Sequence, residues 1–273
     1  MNHPPVFVGG MFKSGTSLLR AMLGRHSRIF AGLETQWLFE DWTADSDSKD
    51  RWLDRMAVMY AVPRDDLAMV CRHSAGPEGA LEDIMSDLTR RAGKSRWGEK
   101  TPGNIGIIPR ILSFWPAARI IHITRDPRDV YASMVNNKRW TEIEEFVPRY
   151  LATVAAAREW VAAQGGTHAC YFEIRYEALV RDPKREMRRV LAFVGEDFEP
   201  AAATFPGQPE DFQRVLSATG KKSPTLARLA QPLTTSRIGV WKQVVPAGDW
   251  CSIYEALRRS GAGAIVDELC VAA

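Results

Sequence analysis

The chain has 273 residues, 45% of them hydrophobic and 25% charged, with a formal net charge of +3. That length fits one large α/β domain or two small ones, and the composition is ordinary for a globular protein. So small a net charge gives no sign of a nucleic-acid partner, and no run of about 18 apolar residues predicts a membrane span.

Val6-Phe7-Val8 is apolar without polar alternation, which predicts a strand covered on both faces. Gly9, Gly10 and Gly15 let the chain turn sharply and let an anion approach backbone N–H groups. A helix is predicted from Thr16 to about Arg25, with Leu18, Leu19, Met22 and Leu23 on one buried face. Its N-terminus presents unpaired N–H donors to an anion. Lys13 adds a charge, and Ser14, Thr16 and Ser17 add hydroxyls. The spacing Gly10-x-x-x-x-Gly15-Thr16-Ser17 nearly matches the nucleotide-triphosphate loop, but Thr16 stands where that loop carries lysine. The stretch reads as a phosphate loop not built for ATP.

His26 falls at the helix end, where a cation suits the helix dipole. Glu34 follows a short apolar run that starts at Ile29. It is a candidate for the floor of a cleft, with a helix-start carboxylate as the alternative. Residues 37–92 read as mostly helical, with loops at Ser46 to Lys49 and Ala75 to Gly79. This insertion is a candidate wall for an acceptor site or a plain scaffold. Arg96 to Lys100 reads as a short strand, placing Lys100 where ligand groups gather in open α/β sheets. A helix is predicted over 104–113.

Ala118 to Thr124 reads as a buried strand containing a hydrogen-bonded core histidine, His122. Asp126 suits a helix N-cap and Pro127 the first helical position. Arg125 then lies at a strand end and Ser133 two turns along the next helix, both able to face a cleft above the sheet. Arg128 reads as a solvated helix charge. A long helix is predicted over 141–163, a strand over Cys170 to Ile174, and a helix over 183–194. From Pro200 to Pro232 five prolines, with Lys221 and Lys222, predict a long surface loop, and 200–235 is a candidate lid. The tail, 251–271, reads as helical with a break at Gly261 to Gly263. Neither a repeat nor a linker divides the chain, so 1–273 reads as one domain with a central, mainly parallel sheet flanked by helices.

Together these segments resemble sulfotransferases that use 3′-phosphoadenosine-5′-phosphosulfate. Phe12-Lys13-Ser14-Gly15-Thr16-Ser17 is similar to that family's 5′-phosphosulfate loop, P-[KR]-S-G-T-[ST], with Phe12 in place of proline. Arg125, with Ser133 eight residues on, resembles its 3′-phosphate motif. Further matches resemble the tyrosylprotein branch and its bacterial relatives. Gly32-Leu33-Glu34-Thr35 sits where that branch carries its catalytic glutamate, and Glu99-Lys100-Thr101-Pro102 resembles its catalytic-lysine segment. Arg175-Tyr176-Glu177 is similar to a segment that contacts adenine, and Ser236 to Lys242, with Arg237 and Trp241, to a terminal motif over the cofactor.

The resemblance implies transfer of a sulfuryl group to a hydroxyl or amine, leaving adenosine 3′,5′-bisphosphate. It implies Glu34 as base, with a pKa raised by burial, and Lys13 and Lys100 as stabilisers of the leaving phosphate. A metal is not expected. Peptide tyrosine, a carbohydrate and a small alcohol are all admissible acceptors. Nothing sets an oligomeric state. The four separated cysteines form no C-x-x-C pair, and with no signal-like start they suit a cytoplasmic location. Two other classes stay open: a small-molecule kinase using ATP, and a nucleotide-binding regulatory protein without catalysis.

Overall fold

The computed structural model describes residues 3–39, 46–137, 141–207, 209–220, 227, 230–259 and 267–270. Strand β1 (Val6–Gly9) is buried along its whole length. Successive side chains of a strand point to opposite faces, and here they feed two cores. Phe7 enters one with Trp97 and Trp115, their ring centroids 5.2–5.7 Å apart. Val6 and Val8 enter the other, against Leu19, Met22 and Leu23 of helix α1 (Thr16–Leu23). Two-sided burial is why the strand is apolar without alternation.

Four more strands join it: β2 (Ile29–Ala31), β3 (Arg96–Lys100), β4 (Arg119–Thr124) and β5 (Tyr171–Arg175). The order is β2-β3-β1-β4-β5, and every pairing is parallel. Parallel neighbours need crossover connections. Between β2 and β3 these are α2 (Ser46–Tyr60), α3 (Arg64–His73) and α4 (Gly76–Arg91). Both loops predicted in this region open helices instead. Pro77 lies in the first turn of α4, where a missing N–H removes no helical bond.

After β3 the chain makes a 3-10 turn, Pro102–Ile107, before α5 (Ile108–Phe114). The predicted helix therefore begins later, with Pro109 in its first turn. Helices α6 (Pro127–Val135) and α7 (Ile143–Ala163) connect β4 to β5. Then come α8 (Tyr176–Arg181), α9 (Pro183–Val194) and α10 (Pro209–Thr219). Helix α10 corrects the expectation of an irregular stretch after Pro200, because Pro209 starts a helix rather than interrupting one. It packs along α2. Lys221, Lys222, Pro224 and the glycines at 261 and 263 lie outside the described residues. Among the described residues, no helix is long and apolar enough to cross a membrane.

His122 on β4 is a core residue, with Nδ1 2.7 Å from the Tyr171 hydroxyl on β5. Burial lowers its pKa from 6.5 to about 4; nearby Glu173 opposes the shift and Arg158 adds to it. The unfolded chain therefore takes up a proton below pH 6.5 that the folded chain refuses until about pH 4. Stability should fall as pH drops through that window, by up to about 1.4 kcal/mol per pH unit from this group. Urea unfolding at about pH 7 and about pH 5 checks this: the two midpoints should lie closer together in His122→Gln than in the parent.

Candidate functional site

Five parallel strands end at the same edge of the sheet, the usual place for ligands in such sheets. The chain leaving each end contributes to one cavity of about 500 Å³. Lys13, Gly15, Thr16 and Ser17 follow β1, Glu34 follows β2, and Lys100 closes β3. Arg125 and Ser133 follow β4, and Tyr176 follows β5. Arg237, from the segment before the short helix Trp241–Val244, also lines it.

The loop after β1 is shaped by left-handed residues. Gly10 has φ 147°, and a Cβ there would lie 2.2 Å from the Ile123 carbonyl oxygen. Gly15, at φ 103°, caps α1, and a Cβ on it would lie 2.6 Å from the Tyr176 ring. Lys13 is left-handed without being glycine, at φ 70°. No side chain caps α1 and no acid sits in its first turn. Its N-terminal N–H groups and partial positive charge are thus open to an anion.

Arg125 bridges this loop to the chain's later part. Its Nη1 donates to the Lys13 carbonyl at 2.9 Å and its Nη2 to the Arg237 carbonyl at 2.6 Å. The guanidinium stacks on Tyr176, 4.4 Å from the ring centroid. Asp129, one helical turn on, is fully buried and accepts from the backbone N–H groups of Gly239 (2.8 Å) and Trp241 (3.1 Å). It therefore holds the 237–241 turn over the cavity. Sequence reasoning missed Asp129, and its one signal is the i+4 spacing from Arg125. Arg128 corrects the expectation of a solvated charge. It grips Asp126 through Nε and Nη2, reaches the Cys270 carbonyl, and stacks on Trp241 at 4.4 Å. Asp126 caps α6 as predicted, accepting from the Arg128 N–H at 2.9 Å.

Glu34 and Lys100 are hydrogen-bonded through Oε2 and Nζ. Glu34 Oε1 accepts from Gln36 Nε2 at 2.7 Å, and the Glu34 carbonyl accepts from Arg55 Nη2 at 3.3 Å. Burial pushes the Glu34 carboxyl up, but Lys100, Gln36 and Arg55 outweigh it and hold the group below the ordinary carboxylate value. The expected rise is thus reversed, because a partly buried carboxylate beside an ammonium is stabilised as the anion.

Of the twelve residues singled out from sequence, ten line the cavity. Ser14 is buried without lining it, and Trp241 lies against Arg128. Arg20, Arg55 and Met59 line it without having been foreseen. Arg20 and Arg55 are helical cations, which sequence alone does not separate from solvated ones.

The profile described as "Sulfotransferase family" matches residues 4–200. A protein-tyrosine sulfotransferase of Drosophila melanogaster is 23% identical over 197 residues, 70% of this chain, and the match spans 38% of that protein. The sulfotransferase domain of the Synechococcus PCC 7002 olefin synthase is 18% identical, with a TM-score of 0.63 and 95% of both chains covered. Mouse sulfotransferase SULT7A1, solved with PAP, is 16% identical, with a TM-score of 0.51 over 98% of this chain and 90% of that one. At these identities the two structural likenesses are of fold.

Replacing Lys100 by Met leaves burial unopposed by its ammonium, so the Glu34 carboxyl should titrate higher than in the parent. Carbon-13 NMR of labelled glutamates, with Glu34→Gln assigning the signal, measures this. A depressed folded pKa contributes stability that is present above the unfolded value of 4.5 and lost as pH falls through the folded one. In Lys100→Met that contribution should be absent.

Proposed function

The chain belongs to the sulfotransferase family, and from that premise we propose that it moves a sulfuryl group from 3′-phosphoadenosine-5′-phosphosulfate to an acceptor hydroxyl or amine, with Glu34 taking the acceptor's proton. One observation carries this reading: the phosphate loop, the Arg125/Ser133 pair and the Glu34–Lys100 pair open into a single cavity.

The residues fit such a cofactor. Arg125 Nε, both Nε and Nη2 of Arg237, and the Ser14 hydroxyl are buried without a hydrogen-bond partner. Buried donors without acceptors cost free energy, and a ligand with phosphate groups at two ends supplies acceptors. When bound, it would provide the sulfuryl group and a 5′-phosphate as leaving group.

In this reading Lys13, the α1 N-terminus and the hydroxyls of Thr16 and Ser17 hold the 5′ end. Arg125 and Ser133 hold the 3′-phosphate, the feature that separates this cofactor from ATP, while Tyr176 and Arg237 bracket the nucleoside. Glu34, ionised at neutral pH, is ready to accept a proton but is a weak base while Lys100 holds it. Lys100 would stabilise negative charge on the leaving oxygen and, in doing so, would loosen its hold on Glu34. Burial then strengthens Glu34 as a base when the proton must move. Leu33, Arg55 and Met59 line the same cavity as Glu34 and in this reading form the acceptor wall. Their mix of apolar surface and one cation suits an acceptor with an aromatic or aliphatic body, such as peptide tyrosine or a small alcohol.

Isothermal titration should give adenosine 3′,5′-bisphosphate an affinity at least about tenfold above that of ATP, a gap of about 1.4 kcal/mol. Equal affinities would refute the reading and favour a kinase. Glu34→Gln should bind the bisphosphate as the parent does and lose transfer of labelled sulfate in a screen of acceptor classes. Arg125→Ala should weaken bisphosphate binding by roughly 2–4 kcal/mol, the size of a desolvated, charge-assisted contact.

A further inference from the structure

Glu99 stands one residue before Lys100 on β3 and is 2% exposed. Neighbouring strand residues face opposite ways, so Glu99 points away from the Lys100 ammonium. Among the described residues no lysine or arginine pairs with it. Neutral groups hold it instead. Its Oε1 accepts from the Thr35 N–H (3.2 Å), the Thr35 hydroxyl (2.9 Å) and the Thr101 hydroxyl (2.7 Å). Its Oε2 accepts from Asn104 Nδ2 at 2.7 Å, and the same amide reaches the Val8 carbonyl on β1 at 3.3 Å.

The consequence lies in the loop that carries Glu34. A hydroxyl has one proton to donate. Both threonines give theirs to Glu99, so their lone pairs meet the backbone: the Gln36 N–H donates to Thr101 Oγ1 at 3.0 Å and the Trp37 N–H to Thr35 Oγ1 at 3.1 Å. Three consecutive N–H groups, of residues 35, 36 and 37, are therefore tied to one carboxylate, the first directly and the other two through threonine hydroxyls. This holds Gln36 in the left-handed region, at φ 54°, where non-glycine residues rarely sit. In that conformation Gln36 Nε2 reaches Glu34 Oε1. The turn after Lys100 is tied in as well, because the Pro102 carbonyl accepts from the Gly10 N–H at 3.0 Å.

We propose that Glu99 is a positioning residue: through Thr35, Thr101 and Asn104 it fixes the Glu34 loop and the Lys100 strand end in one register, so that the Glu34–Lys100 pair meets the acceptor at a set place. This rests on the reading of Glu34 as base and deepens it. A glutamine has a single acceptor oxygen, and its amide N–H groups meet an acceptor on Asn104 only if that amide turns over and gives up the Val8 carbonyl.

The test follows the carboxyl of Glu34 by carbon-13 NMR in Glu99→Gln, Thr101→Val and Thr101→Ser. The charged groups facing Glu34, Lys100 and Arg55, are intact in all three. In the first two variants the loop should loosen from Lys100 and the Glu34 titration should rise by about 1 pH unit, the effect of weakening one nearby opposite charge. Thr101→Ser, which keeps the hydroxyl, should titrate as the parent does. A cooperative urea transition identifies folded protein, and Thr101→Val serves if Glu99→Gln does not fold. An unmoved Glu34 titration in a folded Thr101→Val or Glu99→Gln protein overturns the proposal. A displaced titration supports it even if Glu34→Gln retains sulfate transfer, an outcome that would remove the base assignment alone.

Discussion

Parallel strand direction is the constraint on which the rest of this molecule depends. Five strands that run the same way must end at one edge, and the chain leaving each end cannot avoid its neighbours. Residues as far apart as Lys13, Glu34, Lys100, Arg125 and Tyr176 thereby share a cavity. Burial on both faces keeps the frame rigid. Phe7 faces one core while Val6 and Val8 face the other, so a shift of β1 by one residue would exchange the two sets. The loop that follows inherits that rigidity.

Charge then organises what the strands gather. Arginine and lysine converge on the cavity, yet the acids beside them serve different ends. Asp129 is buried and spends both oxygens on backbone N–H groups, fixing the 237–241 turn. Glu34 meets Lys100 directly and is held as the anion. Glu99 is more buried than Glu34, and burial pushes its carboxyl above the ordinary value against the pull of its Asn104, Thr101 and Thr35 donors. The two glutamates, of the same intrinsic acidity, thus differ through surroundings alone. In the proposed reaction the base would change strength when its ammonium partner is drawn elsewhere.

Much of the site was legible from local rules. Glycines with a lysine before a helix read as an anion loop because backbone chirality and helix-end donors follow from a few consecutive residues. Asp126-Pro127 read as a helix start for the same reason. Local rules failed where a residue's meaning lay in a distant partner. Arg128 looked like a solvated charge because Trp241 and the Cys270 carbonyl, which cover it, lie more than a hundred positions away. Pro209 looked like an interruption because proline both opens and breaks helices, and packing of α10 on α2 decides between them.

The sequence by itself determined the parallel α/β sheet, the glycine-bearing turn from β1 into α1 and the family to which the chain belongs, since apolar runs, glycines and short motifs act over a few residues. Only the tertiary structure decided the ionisation of Glu34, the clamp made by Asp129 and the cluster around Glu99. Electrostatic energy depends on distance and on exclusion of water, and neither exists until the strand ends have been brought together.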